Sequence, residues 1–183
     1  MRPRTALWIV ALAAGAAVSA PRAALAAPVD RPALILWITI DGLRGDMPLA
    51  FADRFGPGGF RWFMDEGLCY ANAHFAHSAT FTAAGHATLF TGASPSQHGI
   101  VGNDWYDRAA RADVYCVGDP ASPPLGEAAP AKSGRSPRNL MSSTIGDEMI
   151  LASGGLAKVF GVSIKDRGAV LPAGHLGKAF WFD

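Results

Sequence analysis

Apolar positions fall into runs of two kinds along this chain. Leu34-Ile35-Leu36-Trp37-Ile38-Thr39-Ile40 is continuous and β-rich, the pattern of a strand buried on both faces of a parallel sheet. A second strand is expected over about residues 69–76. A hairpin or two short strands are expected at about 101–106 and 113–117, and another strand from Lys158 to Ile164. Helical segments lie between them. One runs over about Phe60 to Glu66 and stops at Gly67, and one from Thr82 to about Phe90 closes at Gly92. A third, Ile145 to Leu151, follows the N-cap candidates Ser142, Ser143 and Thr144 and ends at Gly154-Gly155. Pro, Gly, Ala and Ser mark Gly118 to Pro137 as a loop. Strand, helix, strand in succession predicts right-handed βαβ units and an α/β fold. The closing Phe180-Trp181-Phe182-Asp183 is strand-like with nothing after it, so the chain is expected to be a truncated piece of a longer domain.

The first residues add a compartment. Met1-Arg2-Pro3-Arg4 is basic, Thr5 to Val18 is apolar, and Ala24-Leu25-Ala26 fits a cleavage site. This predicts a secretory signal peptide over residues 1–26, a mature chain over 27–183, and a periplasmic or secreted protein. The apolar run is too short to span a bilayer comfortably, and Pro21 and Arg22 interrupt it, so no stable membrane anchor is expected. With 50% hydrophobic and 17% charged residues the chain is globular material. Its 16 Lys+Arg include three arginines in the leader, which leaves 13 basic against 15 acidic residues. That near-neutral balance gives no support for a nucleic-acid partner. Export permits a bond between Cys69 and Cys116, but two separate small buried side chains are the plainer reading of the pair. No C-x-x-C pair offers a thiolate zinc site.

Candidate chemistry clusters at element ends. Asp41 directly follows the first apolar run, where α/β sheets gather ligands, and suits a metal; a turn-forming Asp before Gly42 is the plainer reading. Thr82 opens a helix. It is either an N-cap or a hydroxyl held where free N–H groups and the helix dipole favour phosphate. His86 reads as structural, and His74, His77, His98 and His175 lack paired ligand spacing. Asn103, in Gly102-Asn103-Asp104-Trp105-Tyr106, is a turn residue or an amide donor to a phosphoryl oxygen. Lys165 and Arg167, two apart in an extended segment, would aim two cations at one place, or else sit at a solvated strand end.

The order of these signals carries more than any one of them. Ile40-Asp41-Gly42-Leu43-Arg44, Phe81-Thr82-Ala83-Ala84-Gly85-His86, the stretch from Pro95 to Tyr106, Ser136-Pro137-Arg138-Asn139-Leu140, Gly161-Val162-Ser163-Ile164-Lys165-Asp166-Arg167 and Leu171-Pro172-Ala173-Gly174-His175 follow one another. Together they resemble the phosphate-irrepressible bacterial alkaline phosphatases of the alkaline phosphatase superfamily, close to the type I phosphodiesterases and nucleotide pyrophosphatases. The resemblance covers essentially everything after the leader.

The resemblance implies an α/β/α sandwich with a central, largely parallel sheet, of which this chain is the N-terminal portion. It implies Thr82 as nucleophile, Asp41 and Thr82 as zinc ligands, and Asn103, Lys165 and Arg167 as contacts to phosphoryl oxygens. It implies two Zn2+ per full-length active site, small-molecule phosphate esters as substrates, and hydrolysis of monoesters through a phosphothreonine. The family's remaining ligands, in D-x-x-x-H and D-H patterns with a late His, have no match here. The chain alone is therefore expected to be inactive and to bind zinc weakly. A diesterase or nucleotide pyrophosphatase is the alternative enzyme, and a non-catalytic phosphate- or metal-binding module the alternative of another class. The reading frame beyond Asp183 separates fragment from module.

Overall fold

The computed structural model describes residues 32–122 and 134–182. The signal peptide expected over 1–26 lies outside them. Two compact units divide the chain, Met1–Thr39 and Ile40–Asp183.

In the first unit, the described residues 32–39 form neither helix nor strand and are largely exposed, Leu34 at 79%. The strand expected from Leu34 to Ile40 is therefore absent among the described residues. An apolar run marks what can be buried, but a parallel strand exists only where neighbours pair with it, and no described strand does.

The second unit begins with short helical turns at Met47–Ala50 (α1) and Ala52–Arg54, then Phe60–Glu66 (α2), which ends at Gly67 as expected. The strand expected over 69–76 is irregular chain with turns. Helix α3, Thr82–Thr91, stops where Gly92 takes φ +68 and donates its N–H to the Thr88 carbonyl. Helix α4, Pro95–His98, follows. Strands β1 (Asp104–Asp107) and β2 (Ala112–Tyr115) pair antiparallel, so the hairpin expectation holds. Helix α5, Ile145–Ala152, is capped by Thr144, whose Oγ1 accepts the Asp147 N–H at 3.1 Å while Asp147 Oδ2 accepts the Thr144 N–H at 2.9 Å.

Strand β3 (Phe160–Ser163), helix α6 (Asp166–Ala173) and strand β4 (Lys178–Trp181) form the parallel unit that the βαβ reading requires. Small residues let its layers close. A Cβ on Gly161 would sit 2.1 Å from the Ala169 carbonyl oxygen, so only glycine fits where β3 meets α6. Ala83, Ala84 and Ala87 of α3 and Ala169 of α6 are likewise fully buried. Ile100, Cys116, Val117, Leu140, Val170 and Leu171 complete this core, with Trp105, Tyr115 and Ala179 packed against it. Full burial of Ile100 or Leu171 stabilises by about 1.5–3 kcal/mol each. Side chains alternate along a strand, so Phe160 and Val162 point away from α6 and are 57% and 77% exposed. The fold is α/β, and it shows one two-stranded parallel sheet and one hairpin among the described residues.

Candidate active site

Three element ends meet at the site. The turn after Ile40 presents Asp41, with Gly42 at φ +75 completing it. The first turn of α3 presents Thr82. The bend between β3 and α6 presents Lys165, which stands just before the helix.

Phe81, not Thr82, occupies the N-cap of α3, and it makes no side-chain cap. Thr82 is the first helical residue, and its hydroxyl instead donates to Asp41 Oδ2 at 3.0 Å. The helix-cap alternative for this threonine is thereby excluded. Lys165 Nζ donates to the same carboxylate oxygen at 3.2 Å. Burial pulls the Asp41 carboxyl upward, but the bonds from Lys165 and Thr82 outweigh it and hold its pKa below the ordinary value of 3.8. Asp41 is thus anionic across the neutral range, with a hydroxyl and an ammonium on one of its oxygens.

Asn103, just before β1, accepts the Ala83 N–H at Oδ1, 3.1 Å away. A backbone donor must face an acceptor, so this bond fixes the amide's orientation and keeps its NH2 group as the outward donor. His86 Nδ1 lies 2.7 Å from the Thr82 carbonyl, one turn back on its own helix, which is the structural role expected of it. His98 bonds Thr88 and the Ile100 N–H, His175 bonds Asp147 and the Leu140 carbonyl, and His74 bonds Asn72.

Arg167 departs from expectation. The extended segment ends at Ser163, so Lys165 and Arg167 are not alternate residues of one strand. Arg167 lies in the first turn of α6, and its Nη1 donates to the Tyr115 hydroxyl at 3.0 Å while Lys165 turns to Asp41. Lys165 is the extended residue before the helix and Arg167 the second residue within it, so the two cations take different partners here, the Asp41 carboxylate and the Tyr115 hydroxyl. Tyr115 donates in turn to Asp166 Oδ1 at 2.6 Å, and Asp166 Oδ2 takes the Arg135 guanidinium. Nothing local in the sequence foretold this cluster; its members are 20 and 31 residues apart and meet only through the hairpin and α6. Cys69 is exposed, Cys116 is buried and both are free, so they form no disulfide.

As donors for a metal, Asp41 and Thr82 supply two adjacent oxygens, a carboxylate and a hydroxyl that can form part of a divalent cation's ligand set. A catalytic zinc normally takes three protein ligands, and no group of three His, Cys, Asp or Glu gathers among the described residues. The pair can supply only part of a metal's ligand set.

A family model described as type I phosphodiesterase/nucleotide pyrophosphatase matches residues 35–157. The chain is 43% identical over 156 residues to alkaline phosphatase PafA of Elizabethkingia meningoseptica, covering 85% of this chain and 29% of that protein. It is 40% identical over 156 residues to alkaline phosphatase PhoV of Synechococcus elongatus, covering 85% and 28%. It superposes with a TM-score of 0.75 and 41% identity on a crystal structure of a PafA variant, over 79% of this chain and 28% of the other. The chain thus spans less than a third of the length of these relatives. In that variant a threonine, an asparagine, a lysine and an arginine are replaced, at successive separations of 21, 62 and 2 residues. Thr82, Asn103, Lys165 and Arg167 have the same separations.

Proposed function

The chain belongs to the type I phosphodiesterase/nucleotide pyrophosphatase family of the alkaline phosphatase superfamily, and from that premise we propose that the whole protein is a zinc-dependent phosphomonoesterase with Thr82 as nucleophile. The observation that carries the reading is the Thr82 hydroxyl held 3.0 Å from the Asp41 carboxylate at the start of α3. In the reaction Thr82 Oγ1 bonds to phosphorus as the ester P–O bond breaks, and the alcohol leaves with a proton. Water then hydrolyses the phosphothreonine to inorganic phosphate. Asp41 and Thr82 would be ligands of one zinc; two zinc ions would supply a lowered hydroxyl pKa and charge stabilisation at the leaving oxygen. Asn103 offers its NH2 group, Lys165 an exposed ammonium able to turn from Asp41, and Arg167 its guanidinium to the phosphoryl oxygens.

Two cations suit a terminal phosphoryl group, which carries one more charged oxygen than a diester. The family model's description favours the second reading, a phosphodiesterase or nucleotide pyrophosphatase. Turnover of an aryl monoester against its aryl diester by the full-length protein decides between them. Monoester preference, lost on chelation and restored by zinc, is expected; diester preference overturns the monoesterase reading. A periplasmic or secreted location is proposed with it, supported by the leader pattern of residues 1–26. Among the described residues no helix is long and apolar enough to cross a membrane.

A further inference from the structure

We propose that Tyr115 is a positioning residue that holds the Arg167 guanidinium for the phosphoryl group through a neutral hydroxyl, so that Arg167 is fixed but not neutralised; this rests on the phosphatase reading above. Arg167, Tyr115, Asp166 and Arg135 form one chain of contacts. Arg167 Nη1 donates to Tyr115 at 3.0 Å, and Tyr115 donates to Asp166 Oδ1 at 2.6 Å. Asp166 Oδ2 is taken by Arg135, whose guanidinium also lies over the Tyr115 ring at 5.1 Å.

The distribution of charge is the point. The cluster holds one carboxylate and two guanidinium groups. The carboxylate is ion-paired to Arg135, and its contact with Arg167 is to the backbone N–H, at 2.7 Å. A direct Asp166 pair would hold Arg167 as firmly but cancel the charge a phosphate needs. Interposing the phenol keeps the orientation without a direct side-chain ion pair between Asp166 and Arg167. The proton order is set by geometry: an arginine can only donate, so Tyr115 must accept from it and spend its own proton on Asp166. The phenol keeps that proton. Burial first, and then the bond to Asp166, push its pKa up to about 12. Arg167 Nε is buried without an acceptor among the described residues, so the guanidinium is not otherwise saturated.

The hairpin explains why a residue so far along the chain is placed here. The Cys116 N–H bonds the Asn103 carbonyl at 2.9 Å, so Asn103 and Tyr115 stand near one end of the same ladder. One reaches the start of α3 and the other the start of α6. A single rigid ribbon thereby sets two phosphate-binding groups.

Tyr115→Phe in the full-length enzyme removes the hydroxyl and keeps the ring. Four proteins are compared: wild type, Tyr115→Phe, Arg167→Ala and the double variant. The readouts are aryl monoester kcat/KM, competitive inhibition by inorganic phosphate, and diester turnover. Tyr115→Phe is expected to lower monoester kcat/KM and weaken phosphate inhibition by about five- to tenfold, with diester turnover nearly unchanged. In the Arg167→Ala background it should do nothing further, because it acts only through that side chain. If Tyr115→Phe folds poorly by its melting temperature, Asp166→Asn tests the same chain of contacts with the same expected non-additivity. Equal losses in both backgrounds, or a loss shared equally by the diester, would overturn the positioning role while leaving the phosphatase reading standing. An Arg167→Ala enzyme with wild-type monoester turnover would sink the phosphate-binding role of Arg167 and this proposal with it.

Discussion

Replacing Thr82 by alanine separates chemistry from structure. Thr82 is the first residue of α3 and caps nothing, and its hydroxyl bonds Asp41 at an exposed position. Losing such a bond costs about 0.5–1 kcal/mol. The net stability change of the full-length protein is therefore expected to stay within about 1 kcal/mol. Turnover should respond on another scale. Removing a nucleophile from a cooperative catalytic group costs on the order of 10⁴-fold or more, equivalent to about 5.5 kcal/mol of barrier. Urea denaturation and aryl monoester turnover, measured on the same zinc-loaded preparations, read both quantities. Thr82→Ser, which keeps a hydroxyl, should retain measurable activity with unchanged stability. A folded alanine variant with near-normal turnover would refute the nucleophile. So would a destabilisation above about 2 kcal/mol with activity lost only in proportion to unfolded protein, since the threonine would then be structural.

Other consequences follow from the packing around the site. Asp147 is buried and accepts the Thr144 and Leu176 N–H groups at 2.9 and 2.8 Å, so Asp147→Ala strands two donors and should cost about 2–4 kcal/mol by chemical denaturation. Gly161→Ala would drive a methyl group into the Ala169 carbonyl and should lower the melting temperature, with a cost of about 1–3 kcal/mol. His98 is fully buried, and burial holds its pKa below the ordinary 6.5. Its folded pKa is depressed, so its contribution is complete above pH 6.5 and lost as the pH falls toward the lowered value. Melting temperatures should accordingly fall from about pH 7 toward about pH 5, with a smaller fall in His98→Gln.

What the sequence determined by itself was local. The glycine at 92 and the threonine at 144 carry the information for a helix stop and a helix cap in their own backbone and side chain, and both elements stand where that chemistry puts them. A hairpin was one of the two readings open for residues 101–106 and 113–117, and it is the one that forms. The ordered motifs named Asp41, Thr82, Asn103 and Lys165, and the fold gathers them around the start of α3. What the sequence left undecided was everything that depends on a distant partner. Leu34 to Ile40 has the composition of a strand, but strand pairing is a property of two segments, and the described residues contain no partner for it. Lys165 and Arg167 look paired when read as extended chain. Helix α6 begins at Asp166, so Arg167 lies in its first turn and reaches Tyr115 instead. The Tyr115–Asp166–Arg135 cluster was invisible for the same reason: periodicity reports which face of an element is buried, whereas a hydrogen bond between residues 51 apart exists only once the core has brought the hairpin and α6 together.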